Sequence, residues 1–301
     1  MLGTVLTSQA VLGIIALRKT HVPTWSSSPL DVTAALVHYR YIQRRQNRCM
    51  HSSSQTDDER TDPIRPSPRQ PSLWMSHKSV QRVINVIWGV AAFFVLSGSV
   101  LLLGWSPYRW GKDEVAPPLG LLRASLELGV VQSVVAIALH CGELVITLAR
   151  DEQVWREASK EHGARLAGNP LKALFGNWQS CGFLLCKIVV HWIFGQTMHL
   201  RQGTGLVVGS GFGGKSQNVL GGALIFVAWF ITFIATRQPL GPQPAAYGHV
   251  QTLADLIDEW STRMHWGHKA DGWGVGPWPV GRAGTAKDKP LPRVKMDLHY
   301  A

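Results

Sequence analysis

The chain has 301 residues, 46% of them apolar and 16% charged. That is room for a membrane bundle with flanking segments, and less charge than the roughly 25% of a soluble domain. The net charge of +11 raises nucleic acid and anionic lipid as partners, but no basic helix or aromatic–basic alternation marks a nucleic-acid reader, so nucleic acid is set aside. Cys49, Cys141, Cys181 and Cys186 lack the spacing of a zinc site or a secreted disulfide framework.

Residues 1–17 form a short apolar segment that ends at Arg18-Lys19. It lacks a preceding basic region and a small-residue cleavage site, so it does not read as a signal peptide. Its apolar length is slightly short for a span, which leaves it either a fifth crossing or a truncated one. Residues 18–82 form a polar basic linker. Gln43–Gln70, rich in Arg, Ser, Asp, Pro and Gln, is expected to be disordered. Within the linker, Asp31–Arg45 has the pattern of a short amphipathic helix at the membrane surface.

Four spans follow, over 83–105, 119–149, 178–200 and 219–236. Trp105, Trp110 and Trp178 mark block ends, where the ring stays apolar and the N–H stays wet. Ser106-Pro107 and Pro117-Pro118 break the chain between the first two spans. The tail, 237–301, is soluble. Its residues Val250, Leu253, Ile257, Trp260 and Met264 recur at helical spacing over 247–264, and the remainder is without periodicity.

The fold expected is an all-α membrane protein. It is a bundle of four to five transmembrane helices with a disordered basic linker and a mostly irregular cytoplasmic tail containing one amphipathic helix. Of the 30 Lys and Arg, 24 fall in the segments 18–82, 150–172 and 237–301. Positive charge collects on the cytoplasmic side, so those segments, the C-terminus among them, are expected there.

Residues 209–216, Gly-Ser-Gly-Phe-Gly-Gly-Lys-Ser, match the phosphate-cradling pattern G-x-x-x-x-G-K-[ST], with Gly209, Gly214, Lys215 and Ser216 at the defining positions. The match falls between two spans, with no βαβ pattern around it and no strand ending in Asp after it. It reads as a chance match in a glycine-rich loop, and no nucleotide or other cofactor is expected.

The polar residues inside the spans carry more chemistry. Gln132, His140 and Glu143 share one face of the second span by their spacing, and Lys187 and His191 share one face of the third. Lys187 and Glu143 lie at matching depths, ~14 and ~8 Å from the same membrane surface at 1.5 Å per residue. An ionisable group in hydrocarbon costs ~2.5–3.5 kcal/mol on insertion scales. Three readings stand open: a proton or substrate relay, a Glu143–Lys187 pair that fixes packing, and side chains that snorkel separately. His265 and His268 in the tail lack further ligands for a metal, and no paired-carboxylate or Ser–His–Asp set is visible.

Several stretches together carry a resemblance. They are His140-Cys141-Gly142-Glu143-Leu144, Arg150-Asp151-Glu152-Gln153-Val154-Trp155-Arg156, Val190-His191-Trp192-Ile193-Phe194-Gly195, Gly241-Pro242-Gln243-Pro244, the run from Tyr247 to Trp260, and Lys295-Met296-Asp297-Leu298-His299-Tyr300-Ala301. Pro23-Thr24-Trp25-Ser26-Ser27-Ser28-Pro29-Leu30 joins them. From about residue 22 onward the chain resembles the C-terminal half of a family of fungal multi-pass membrane proteins of uncharacterised function. The resemblance implies a chain lacking an N-terminal set of spans, and it transfers no catalytic or binding residue. The functional expectation is a structural or adaptor membrane component without enzymatic activity, whose partners are the lipid bilayer and cytoplasmic proteins met by linker and tail. The alternative is a transporter or channel-like module built on the intramembrane Glu/Lys/His cluster.

Overall fold

The computed structural model describes residues 2–19, 24, 26, 28–55, 62–103, 117–165, 177–202, 208–212, 214–273, 279–287 and 289–301. In chain order the helices are α1 (Leu2–Lys19), α2 (Pro29–His38), α3 (Leu73–Ser76), α4 (Lys78–Leu102), α5 (Pro117–Arg156), α6 (Trp178–Thr197), α7 (Gly214–Thr236) and α8 (Val250–Leu256). The strands are β1 (Ala164–Arg165), β2 (Met198–Gln202), β3 (Val208–Phe212), β4 (Arg263–Trp273), β5 (Pro279–Lys287) and β6 (His299–Tyr300). Trp105, Trp110 and the Ser106-Pro107 break lie outside the described residues, as do Pro23, Trp25 and Ser27. The chain forms two compact units. One holds Arg69–Gln153 and Asn169–Leu240; the other holds Met1–Pro68, Val154–Gly168 and Gly241–Ala301.

The first unit is helical. Among the described residues four helices are long and apolar enough to cross a membrane: Lys78–Leu102, Leu128–Ser159, Trp178–Thr197 and Gly214–Thr236. On α4, Val80, Ile84, Ile87, Ala91, Phe94 and Gly98 are buried, a stripe with the three-and-four spacing of one helical face. It packs on α7, whose Leu220, Gly221, Leu224, Val227, Ala228 and Ile231 are buried in turn. The approach is close because of small residues. A Cβ on Gly221 would stand 2.9 Å from the Val95 backbone nitrogen. Two polar ties add direction: Gln217 Nε2 donates to Ser97 Oγ at 2.6 Å and Trp88 Nε1 to Thr232 Oγ1 at 3.1 Å. The opposite faces leave Val86, Phe93, Leu96, Phe226, Trp229 and Phe233 exposed. Apolar side chains turned outward on this scale fit a lipid solvent better than water.

Helix boundaries differ from the sequence spans. The span read as 178–200 ends at Thr197, and Met198–Gln202 pairs instead with Val208–Phe212 as a two-stranded antiparallel ribbon. The last helix begins at Gly214, five residues before the apolar run at 219. The second begins at Pro117 and continues to Arg156. Apolar composition marks the hydrocarbon portion of a helix, whereas its hydrogen-bonded ends run on into polar sequence.

The second unit corrects two expectations. The linker is not largely disordered: Ser28–Gln55 and Asp62–Pro68 are ordered, and residues 56–61 lie outside the described residues. The tail is not mostly irregular either, because it supplies most of a four-stranded sheet in the order β1-β4-β5-β6. The pairs β1–β4 and β4–β5 are antiparallel and β5–β6 is parallel. The core draws on all three segments: Leu30, Cys49 and Met50 from the linker, Trp155, Ala158 and Ala164 from the middle, and Leu253, Leu256, Ile257, Met264, Trp266, Ala283 and Tyr300 from the tail. No one segment holds enough apolar residues to bury a core by itself, which is why composition read locally pointed to disorder. Together they do.

Two helices of this unit also depart from their expected bounds. α2 starts with Pro29 in its first turn, where the missing N–H costs nothing. It covers Pro29–His38 instead of 31–45 and packs on α8 with Leu30 and Thr33 buried. The tail helix expected over 247–264 covers only Val250–Leu256. Trp260 falls beyond it, and Met264 lies in β4 and faces the sheet's core. β4 is buried on both faces from Met264 to His268, so it shows none of the alternation that betrays a half-buried strand.

Candidate functional site

Glu143 on α5 and Lys187 on α6 meet. Lys187 Nζ donates to Glu143 Oε2 at 2.8 Å, and His140 Nδ1, one turn before Glu143, lies 3.4 Å from the same oxygen. A second contact fixes the helix directions. Asn177 Nδ2, at the start of α6, donates to Gln153 Oε1 at 2.5 Å. Glu143 lies ten residues before Gln153 and Lys187 ten residues after Asn177, so the helices run antiparallel and the ion pair sits ~15 Å along both. Gly142 makes room beside the pair, since a Cβ there would stand 2.6 Å from Ile231 Cδ1 and 3.0 Å from Phe183 Cζ.

The cluster faces outward. The Lys187 side chain is 18% exposed, Glu143 47% and His140 69%. Gln132 and His191 are also exposed, and among the described residues no hydrogen bond or ion pair joins either to the cluster. The structure therefore brings together His140, Glu143 and Lys187, and leaves Gln132 and His191 apart. The arrangement is a charge-assisted hydrogen bond with a histidine at its rim. Its chemistry is charge neutralisation.

The glycine match takes a shape unlike a phosphate loop. A phosphate loop places its glycines between strand and helix, so that backbone N–H groups wrap the phosphates. Here Gly209 and Gly211 lie within β3, paired with Arg201 and His199. Gly214, Lys215 and Ser216 already belong to the first turn of α7. Position 213, between them, lies outside the described residues.

The tail histidines serve the fold. His249 caps α8, its Nδ1 accepting from the Thr252 backbone N–H at 3.2 Å. His265 is buried, and a Cβ on Gly163, whose φ is +68°, would meet its Cε1 at 2.8 Å. His268 Nδ1 lies 2.9 Å from the Tyr300 hydroxyl, which also accepts from the Lys295 backbone N–H. Among the described residues no group of three His, Cys, Asp or Glu is placed to hold a metal ion.

Sequence reading missed two carboxylates that organise the second unit. Asp255 accepts from the Arg45 backbone N–H, from Arg45 Nε at 2.9 Å and from Arg45 Nη2 at 2.7 Å. Asp258, 7% exposed, accepts from the Thr285 backbone N–H at 2.7 Å, from Lys269 Nζ at 3.0 Å and from Arg282 Nη2 at 3.3 Å, with Arg44 Nη1 at 3.9 Å. Burial pushes the Asp258 carboxyl up, but the Lys269 and Thr285 hydrogen bonds and the Lys269 and Arg44 charges outweigh it and hold the carboxyl below its ordinary value. Burial pushes the Cys49 thiol up, so it stays protonated and donates to the Ala301 oxygen at 3.0 Å. Arg45, the charged partner of Asp255, lies 210 residues away, beyond the reach of motif spacing. Comparisons with protein-family models, with curated proteins and with solved structures give no match.

Proposed function

We propose that the chain is a multi-pass membrane protein that acts as a structural or adaptor component, its spans anchoring a folded unit that presents a surface to partners on the cytoplasmic side. The observation that supports this most is how that unit is assembled. Its three segments are separated by two candidate spans each time: α4 and α5 between the first and second, α6 and α7 between the second and third. Two crossings return the chain to the side it left. Four spans therefore put all three segments on one side, as their shared core requires. The same segments hold 18 of the 30 Lys and Arg, which favours the cytoplasmic side by the positive-inside rule. The motif resemblance to fungal multi-pass proteins points the same way. Alkaline carbonate washing of membranes tests the anchoring. The chain is expected to stay with the pellet, and release into the supernatant would exclude the proposal.

The ion pair supports a second reading, a transporter or channel-like module. Charged residues in spans commonly mark ion pathways. Against it, His140, Gln132 and His191 point outward instead of converging on a shared path. Proteoliposomes that carry a cation or proton flux, lost in Glu143→Gln, would establish this second reading. Absence of flux leaves the anchoring role.

A further inference from the structure

At the edge of the sheeted unit a pocket of about 350 Å³ is lined by Arg44, Arg45, Gln46, Asn47, Arg282 and Ala301. We propose that this pocket binds a phosphate ester, its charge held by Arg44 and Arg282 and its remaining oxygens met by the turn at Gln46–Asn47. The volume lies at the small end of ligand sites, which span roughly 300–1,000 Å³, and suits a phosphorylated headgroup or sugar better than a larger molecule.

The guanidinium groups are held from behind. Arg44 Nε donates to the Asp255 backbone oxygen at 3.1 Å, which aims the side chain and leaves its terminal amino groups without a hydrogen bond among the described residues. Arg282 makes one hydrogen bond, to Asp258, and is 56% exposed. Arg45 is neutralised by Asp255. Asp258 faces Arg44, Lys269 and Arg282 together, and Lys269 has Glu259 as a further partner. Arg44 and Arg282 thus share one carboxylate between two charges, and the surplus faces the pocket. Ala301 brings an oxygen to the lining, which Cys49 Sγ engages. Three arginines line the pocket and no carboxylate side chain does. Asn47 has a φ of +59°, so the chain turns sharply there. Gln46 and Asn47 are exposed and make no hydrogen bond within the chain among the described residues. Planar guanidinium groups and free amide donors are the groups that bind phosphate oxygens.

The phosphate has two sources, a lipid headgroup or a soluble ester, and the pocket does not depend on the membrane reading. The test uses the full chain purified in a neutral detergent and titrated with a fluorescent inositol trisphosphate. Saturable binding is expected, weakened ~10-fold or more by Arg44→Gln and by Arg282→Gln, since each removes a charge-assisted hydrogen bond to the phosphate. Arg263→Gln, an exposed arginine on β4 outside the lining, should leave it unchanged. Circular dichroism and melting of each variant report whether the unit is intact. Displacement by mixed micelles of phosphatidylinositol bisphosphate at lower concentration than by unlabelled inositol trisphosphate assigns the site to lipid, and the reverse order to a soluble ester. No saturable binding, or binding equally insensitive to Arg44→Gln and Arg282→Gln, would overturn the proposal.

Discussion

Asp258 is the residue on which most of the second unit converges. It ties the Thr285 backbone of β5, Lys269 of β4 and Arg282 to the segment that leaves α8. Replacing it with Asn leaves these cations facing a neutral group, and a loss of roughly 3 kcal/mol is expected for a network of this burial. The pH dependence follows from the direction of its shift. A carboxyl whose folded value is depressed contributes stability that is present above its unfolded value, ~3.9, and lost as pH falls through the lower folded value. Amide exchange of β5, read in the full chain, should therefore be faster in Asp258→Asn than in the native chain at pH 6. The difference should shrink below about pH 4. A difference unchanged down to pH 2 would mean that the shift carries no stability.

Glu143 and Lys187 pose the corresponding question in the helical unit. Lys187→Met alone strands the carboxylate, Glu143→Gln alone strands the ammonium, and the double variant removes both desolvation costs. A double-mutant cycle on melting in detergent should give a coupling on the order of 1 kcal/mol, with the double variant more stable than the sum of single losses implies. Additive losses would show that the pair adds nothing to packing. This pair was legible from the sequence because matching depths and helical spacing put both groups at one level. The outward exposure of His140, Gln132 and His191 was not, because spacing along a helix gives the face but not its neighbour.

Among elements, α4 and α7 depend on close approach. Val95 packs against Gly221 so tightly that a Cβ there would stand 2.6 Å from Val95 Cγ2, and the backbone nitrogen behind it cannot give way. Gly221→Val should cost about 1–3 kcal/mol of stability in detergent, the usual cost of overpacking. Gly222 has open space at its Cβ position, so Gly222→Ala should be neutral or slightly stabilising as a helix substitution. Equal melting of the two variants would contradict the packing described. The four helices long and apolar enough to cross a membrane were readable because each carries a long, nearly uncharged apolar run. The sheet was not. β4 is buried on both faces, β1 and β6 are two residues long, and the linker's ordering depends on partners supplied by distant segments. The stretch Gly-Val-Gly-Pro-Trp between β4 and β5, outside the described residues, was the available sequence signal for a hairpin.

At the scale of the whole molecule, the proposed anchoring requires the three segments of the sheeted unit to share one side of a membrane. Ser54, Ser159 and Thr262 are exposed, one in each segment. Single cysteines at these positions, in a chain whose four native cysteines are replaced, can be labelled with an impermeant thiol reagent in intact and in permeabilised cells. The expected result is no labelling at any of the three before permeabilisation and labelling at all three after it. Labelling at all three from outside would reverse the orientation drawn from the charges and keep the unit. Labelling at one or two from outside, with the rest protected, would contradict the account, because segments divided by a membrane cannot build a common core.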